Sequence, residues 1–131
     1  MPSHYRVLVT GSREAQTAGA RAAISAQFDR LRDYANATGS RVVIIHGGAR
    51  GVDSIAHAEA KKRHFATVVV YPQWDDYDSP AKAAYDRNVQ MVTEFQPAAC
   101  LAFNAGTRGT QHQIEIAQAH GVPVREIPIQ R

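Results

Sequence analysis

Two kinds of hydrophobic pattern alternate along the chain. Five short segments are rich in valine or isoleucine, namely 5–10, 41–46, 67–72, 98–103 and 122–127. The second, third and fourth of them are almost continuously apolar. Such runs are typical of β-strands that are covered on both faces of a sheet.

The longer segments between these strands have helical spacing. In the first one, Ile24, Phe28, Leu31 and Ala35 recur at intervals of three or four residues and form one apolar stripe. Three further helices are predicted over 52–63, 81–95 and 110–120. Gly121 and Pro123 follow the last of them as a stop signal.

Five strands that alternate with four helices predict an α/β fold with right-handed crossovers. We expect one domain over 1–131 with a Rossmann-like three-layer sandwich. Its five-stranded parallel sheet should have the strand order 3-2-1-4-5. Ligands of such sheets bind at the carboxyl ends of the strands beside the point where the order reverses.

Composition narrows the class of protein only slightly. The net charge is +3 and the pI about 9.3, and the basic residues are scattered, which favours an anionic ligand over DNA. The basic run 61–64 is interpreted as a solvated helix end. Cys100 is expected to be a buried structural residue, and a single cysteine without a leader or membrane span predicts a cytoplasmic protein.

The loops after the first four strands carry the candidate chemistry. They are Thr10-Gly11-Ser12-Arg13, His46-Gly47-Gly48-Ala49-Arg50-Gly51, Pro72-Gln73-Trp74-Asp75 and Asn104-Ala105-Gly106-Thr107-Arg108-Gly109-Thr110. Glycine lets backbone N–H groups approach a ligand, a helix N-terminus adds unpaired donors, and arginine grips phosphate in two places. The loops therefore predict a phosphate or nucleotide site, although tight turns alone would also explain the glycines.

Several common motifs are missing. The dinucleotide fingerprint would need glycine where His46 stands, and neither a P-loop nor a nucleophile elbow is present. The histidines lack the spacing of a zinc site, so we expect no metal and no cofactor. A dehydrogenase, kinase or esterase is therefore disfavoured.

Taken in order, four segments resemble the SLOG superfamily, and most closely its small YspA/YpsA-related branch. The segments are V-L-V-T-G-S-R, H-G-G-A-R-G-V-D, the Trp74 segment followed by Arg87-Asn88-x-x-Met91, and G-T-R-G-T. The resemblance implies a Rossmann-like fold, nucleotide-derived ligands and frequent homodimers. It carries ligand-binding roles onto Gly11, Ser12, Arg13, Gly47, Gly48, Gly51, Asp53, Arg87, Asn88, Gly106, Arg108, Gly109 and Thr110.

The family also includes the LOG phosphoribohydrolases and the DprA proteins. In LOG enzymes a catalytic glutamate follows the G-T pair within one helical turn, where this chain has Gln111, His112 and Gln113. Glu115 lies a turn further on and should point elsewhere. The favoured hypothesis is therefore a module that binds a nucleotide without turning it over. The alternative is hydrolysis of the N-glycosidic bond of a nucleoside 5′-monophosphate.

For that alternative the catalytic candidates are Arg87, Asp53 and Glu115, with Asp86 as a further carboxylate and His112 as a candidate general acid or base. Most of these residues have a second interpretation. Asp53 would contact a ribose or stabilise its helix N-terminus, and Arg87 would contact the ligand or face solvent.

Two further predictions concern the role of Trp74 and the macromolecular partners of the protein. Trp74 would stack on a base or cover the sheet edge. A homodimer is expected, with a surface on 81–95 and a contribution from 18–35, and neither DNA nor a membrane is an expected partner.

Overall fold

The computed structural model describes residues 3–74 and 79–130. In chain order the elements are β1 (His4–Gly11), α1 (Ala18–Thr38), β2 (Arg41–His46), α2 (Val52–Lys62), β3 (Ala66–Val69), α3 (Pro80–Thr93), β4 (Ala99–Asn104), α4 (Arg108–Ala119) and β5 (Val124–Pro128). The five strands form one parallel sheet in the order β3-β2-β1-β4-β5. The predicted α/β class and strand order are confirmed.

Helix boundaries follow local chemistry. The side chain of Thr17 accepts a hydrogen bond from the N–H of Ala20 and starts α1, and Gly39 ends it in the left-handed conformation, with φ of 71°. Ser79 and Pro80 begin α3 in the same way, with a side-chain cap followed by proline in the first turn. The predicted bounds of the helices are correct to within a few residues.

Strand β3 is shorter than the predicted 67–72, because the regular pairing stops at Val69. The N–H of Val70 still donates to the carbonyl of His46, but Tyr71 and Pro72 leave the sheet. Since β3 lies at the edge of the sheet, its residues are only half buried, whereas β2 is buried along five of its six positions. The prediction that β3 is covered on both faces is therefore wrong.

Helices cover both faces of the sheet. Val7 and Val9 face α1 and α2, where they pack with Ile24, Phe28 and Ile55. Alternate positions of the same strands face α3 and α4, and there Leu8, Ile45, Cys100, Met91 and Ile116 form a second cluster. Cys100 is buried as expected, and burial raises the pKa of its thiol to about 12.

This layering corrects the predicted dimer surface. The helix over 18–35 belongs to one face of the sheet and the helix over 81–95 to the other. One flat surface cannot include both, because the sheet lies between them. Only the part on 81–95 stays a prediction.

The basic run at the end of α2 is not simply a solvated helix end. The side chain of Arg63 is only 8% exposed. It donates to the carboxylate of Asp29 at 2.8 and 3.0 Å, to Ser25 Oγ at 2.8 Å and to the carbonyl of Glu59 at 3.0 Å. Arg63 thus joins α1 to α2 from inside, while Lys61 and Lys62 are exposed.

Candidate functional site

The loop after β1 is tied to the start of α2. The buried hydroxyl of Ser12 accepts a hydrogen bond from the N–H of Glu14 at 3.1 Å. The carbonyl of Ser12 accepts another from the N–H of Val52, also at 3.1 Å. A Cβ on Gly51 would overlap this carbonyl and the backbone of Arg13. Gly51 therefore serves the packing of two loops and has no room for a ligand.

Asp53 closes the loop after β2. Its Oδ2 accepts hydrogen bonds from the N–H groups of Gly47 at 3.1 Å and Ala49 at 3.2 Å. Burial raises the pKa of this carboxyl to about 6, although both hydrogen bonds and the nearby Arg87 and Arg13 lower it. A carboxylate that is kept at this energetic cost beside a cleft is typical of a functional site.

Arg87 holds the same loop from α3. Its Nη1 donates to the carbonyl of Gly47 at 2.8 Å and, more weakly, to that of Val70 at 3.4 Å. Its Nε donates to Asn88 Oδ1 at 3.0 Å. A Cβ on Gly47 would overlap the guanidinium, so this glycine is needed for the contact. Burial lowers the pKa of Arg87, and the charge of Asp53 opposes that effect.

His46 extends the network below the loop. Its Nδ1 accepts from the N–H of Gly48 at 3.0 Å, so its proton resides on Nε2, which lies 2.9 Å from Nδ1 of His57. Burial, together with electrostatic repulsion from His57 and Arg87, lowers the pKa of His46 to about 4. At neutral pH His46 is therefore an uncharged part of the loop support.

The N-terminus of α4 is open. Thr107 begins the helix without a side-chain cap, because its hydroxyl pairs with that of Thr110 at 2.8 Å. Asn104 Oδ1 accepts from the N–H of Gly106 at 2.7 Å and holds the turn before the helix. Cβ atoms on Gly106 and Gly109 would meet nothing within 4 Å. The backbone donors of this helix end are thus accessible to an anion.

A cleft of about 330 Å³ lies between β1, α3 and the start of α4. It is at the switch point of the sheet, as predicted from the strand order. Nine of the residues predicted to bind ligand line it: Gly11, Ser12, Arg13, Asp53, Arg87, Asn88, Thr107, Gly109 and Thr110.

A second cleft of about 310 Å³ adjoins the first and shares Arg13, Ala49 and Arg87 with it. Its other walls include the predicted residues Gly47, Gly48, Arg50 and Trp74, the last followed by residues 75–78 outside the described chain. Of the predicted ligand-binding residues, Gly51, Gly106 and Arg108 line neither cleft.

The catalytic candidates are separated in space. Asp53 and Arg87 line the first cleft, whereas Glu115 and Asp86 line neither. Glu115 is exposed and accepts a hydrogen bond from Gln111 at 3.4 Å. His112 packs under Tyr85 with ring centroids 4.3 Å apart, and its Nδ1 lies 3.0 Å from Asn88 Nδ2. It also lines neither cleft.

Eight residues that line the clefts were not among the predicted ligand-binding residues: Val9, Thr10, Glu14, Ala49, Tyr71, Pro72, Ala84 and Met91. Glu14 lines the first cleft and pairs with Arg50 at 3.5 Å across its rim. Ala49 lies between the clefts, and Tyr71 lines the second. Their position in or next to a predicted ligand loop was the available signal. In the described part of the chain, no three His, Cys, Asp or Glu residues are grouped so that they could hold a metal ion.

The charge of the site is divided. Three guanidinium groups, those of Arg13, Arg50 and Arg87, surround the clefts, and the accessible helix end adds partial positive charge. The carboxylates are those of Asp53 within the first cleft and Glu14 at its rim. The arrangement can hold an anion at the N-terminus of α4 while Asp53 accepts a hydrogen bond from a hydroxyl or amino group.

Over residues 3–74 and 79–130, no helix is long and apolar enough to span a membrane.

Two solved structures share the fold. The DNA processing protein A (DprA) of Streptococcus pneumoniae superposes with a TM-score of 0.72 at 19% identity over 98% of this chain. This chain spans only 51% of the DprA chain. The structure of TM1055 superposes with a TM-score of 0.66 at 16% identity and covers 91% of this chain and 71% of that one. At such identities the similarity shows the fold alone.

Comparisons of sequence identify the family of the chain. The Gene 61 protein of Mycobacterium phage D29 is 34% identical over 125 residues, which is 91% of this chain and 93% of that protein. The model of the YspA, cpYpsA-related SLOG family matches residues 5–77, which include the loops after β1 and β2. The chain therefore belongs to the YspA, cpYpsA-related SLOG family.

Proposed function

We propose that this protein binds a nucleotide or nucleotide-derived small molecule as a sensor or sequestering module. The observation that carries the proposal is the uncapped N-terminus of α4, which opens into the same cleft as Arg13 and Arg87. A helix end adds only about 0.3–1 kcal/mol, whereas each hydrogen bond to a charged group adds about 1.5–3 kcal/mol. Together they support micromolar affinity, about −8 kcal/mol.

Arg13 is the residue best placed to bind the anion. It is exposed, it lines both clefts, and its guanidinium makes no hydrogen bond to another residue of the described chain. The other two arginines have protein partners, since Arg87 holds Gly47 and Arg50 pairs with Glu14. Arg13 is therefore free to turn toward a phosphate without loss of a structural contact.

The geometry supports binding without turnover. The two carboxylates that line the first cleft already have protein partners, because Asp53 accepts from two backbone N–H groups and Glu14 pairs with Arg50. The positions after Thr110, where the related hydrolases carry a glutamate within one helical turn, are Gln111, His112 and Gln113. No described carboxylate is thus both in the cleft and unpartnered.

The test is calorimetric titration with adenosine 5′-monophosphate (AMP), guanosine 5′-monophosphate (GMP) and ribose 5-phosphate. Arg13→Gln should weaken binding about 10-fold or more, since it removes a charge-assisted hydrogen bond. Arg21→Gln, an exposed arginine on α1 that lines neither cleft, is the matched control and should bind as the wild type does. Equal weakening by both variants, or no saturable binding of any ligand, would refute the proposal.

Turnover is checked on the same samples. Incubation with AMP should release no free adenine. If the wild type releases adenine and Asp53→Asn does not, the protein is an N-glycosidic hydrolase and the proposal of binding without turnover is refuted.

A cytoplasmic homodimer with a contact on 81–95 is also part of the proposal. Sedimentation that shows only monomer at high micromolar concentration would refute the dimer.

A further inference from the structure

The second cleft has an aromatic wall. Tyr71 and Trp74 line it, and their side chains are 62% and 48% exposed. Only four large hydrophobic side chains are exposed in the described part of the chain, and two of them meet at this one cleft. Exposed apolar groups that gather at a concave site mark a binding surface more than scattered ones do.

The fold positions this wall. Because β3 ends at Val69, Tyr71 leaves the sheet and its ring lies over the backbone of Gly48. A Cβ on Gly48 would stand 2.8 Å from Cδ1 of this ring and 2.9 Å from Cγ1 of Val69. Gly48 also has φ of 70°, a conformation that favours glycine. A glycine at this position therefore allows the Tyr71 ring to approach the loop after β2.

Three of the remaining residues that line the second cleft are cationic. Arg13, Arg50 and Arg87 line it together with the aromatic residues. Aromatic rings offer a stacking surface, and guanidinium planes stack on or lie over π-systems. A flat heteroaromatic ring with hydrogen-bond acceptors on its edge satisfies both kinds of wall at once.

The two clefts adjoin and differ in chemistry. Arg13, Ala49 and Arg87 line both of them. The first cleft has the open helix end that suits an anion, and the second has the aromatic wall. A ligand that occupies both must therefore carry an anionic group at one end and a flat ring at the other.

We propose that the second cleft is a nucleobase subsite, in which a base stacks against Tyr71 and Trp74 while the phosphate lies at the N-terminus of α4. This inference rests on the proposed nucleotide-binding function and assigns the orientation of the ligand. Purines should bind more tightly than pyrimidines, because they offer a larger stacking area.

Tryptophan fluorescence can detect this contact. Trp74 is the one tryptophan in the sequence, so intrinsic fluorescence excited at the red edge of the indole band is emitted by a residue that lines the second cleft. AMP, GMP, cytidine 5′-monophosphate and ribose 5-phosphate are titrated into the full chain, with fluorescence and calorimetry recorded together. A purine nucleotide should quench saturably, whereas ribose 5-phosphate should bind about 10-fold or more weakly and should not quench.

Tyr71→Leu separates the two subsites. It should weaken the best nucleotide about 10-fold or more and leave the affinity for ribose 5-phosphate unchanged. Tyr34→Leu is the control, since Tyr34 is 48% exposed on α1 and lines neither cleft. Thermal melts of both variants establish that they are folded.

The outcomes distinguish the base subsite from the phosphate site. If ribose 5-phosphate binds and no nucleotide binds more tightly, the base subsite is refuted while the phosphate site stands. Equal weakening of both ligands by Tyr71→Leu also refutes it, because the ring would then act on the loop alone. If no ligand binds at all, both proposals fail.

Discussion

Asp53→Asn should change how the stability of the protein depends on pH. Asp53 and His46, two buried groups whose side chains hold the loop after β2, titrate differently in the folded and unfolded chain. Burial raises the pKa of Asp53 from 3.8 to about 6, and burial, together with repulsion from His57 and Arg87, lowers the pKa of His46 from 6.5 to about 4. Both shifts fall in the same range of pH, but they act in opposite directions.

Whether each group makes the protein more or less stable as pH rises depends on whether the folded or the unfolded state binds the proton more tightly. Folded Asp53 holds its proton more tightly than the unfolded residue, so its contribution to stability is lost as pH rises from about 4 to 6. Folded His46 holds its proton less tightly, so its contribution is lost as pH falls from 6.5 toward 4. At about 1.4 kcal/mol per pKa unit, each group contributes about 3 kcal/mol.

In the wild type the two contributions nearly cancel between pH 4 and 6. Asparagine at position 53 keeps an oxygen for the N–H groups of Gly47 and Ala49 but does not titrate. The free energy of unfolding of Asp53→Asn minus that of the wild type should therefore increase by about 2 kcal/mol from pH 4 to 6.5. His46→Asn, which keeps an acceptor for the N–H of Gly48, should give the opposite slope.

Urea unfolding followed by circular dichroism at half-unit steps of pH measures these differences. Asp33→Asn, an exposed aspartate on α1, is the control and should differ from the wild type by less than about 0.5 kcal/mol throughout. A constant offset between Asp53→Asn and the wild type over pH 4–6.5 would show that the Asp53 carboxyl is not desolvated as the structure indicates.

Three further substitutions test the packing. Gly109→Ala should stabilise α4 by up to about 1 kcal/mol, because the added Cβ would meet no atom within 4 Å and alanine favours helices. The same substitution should weaken the binding of ribose 5-phosphate. Unchanged binding in calorimetry would argue against the N-terminus of α4 as the anion site. Gly51→Ala should cost more than about 1 kcal/mol in urea unfolding, since φ is 75° and its Cβ would overlap the carbonyl of Ser12. Arg63→Ala should cost about 3 kcal/mol, because it removes a buried guanidinium that links Asp29 and Ser25 of α1 to Glu59 of α2. Lys62→Ala, at an exposed position, should cost less than about 1 kcal/mol. Equal effects of the two substitutions would contradict the buried network.

The fold was largely predictable because its signals are local. Apolar runs, the apolar stripe with Ile24 and Phe28, and the stop at Gly121 and Pro123 each depend on neighbouring residues. Once five strands alternate with helices, the handedness of the crossovers leaves few possible sheets. The switch point and the cleft beside it follow from the strand order, and this is why nine predicted residues line one cleft.

Individual roles were less predictable because they depend on distant partners. Arg63 looks solvated in its basic run, but its acceptors Asp29 and Ser25 come from α1. The sequence places Arg87 on a helix but does not determine whether its side chain faces solvent or the protein. The packing of α3 brings its guanidinium to the carbonyl of Gly47. Tyr71 was placed in a strand, whereas the edge position of β3 releases it to the second cleft.

By itself the sequence determined the order of the elements and the chemistry of the loops at one edge of the sheet, since both follow from local periodicity and from parallel connections. The tertiary structure decided what each loop residue does. Gly47 and Gly51 make room for protein groups and Gly109 for solvent or a ligand, although all three are the same residue in similar loops. The difference arises from which distant side chain or backbone packs against each one, and that contact exists only when the sheet and its helices have assembled.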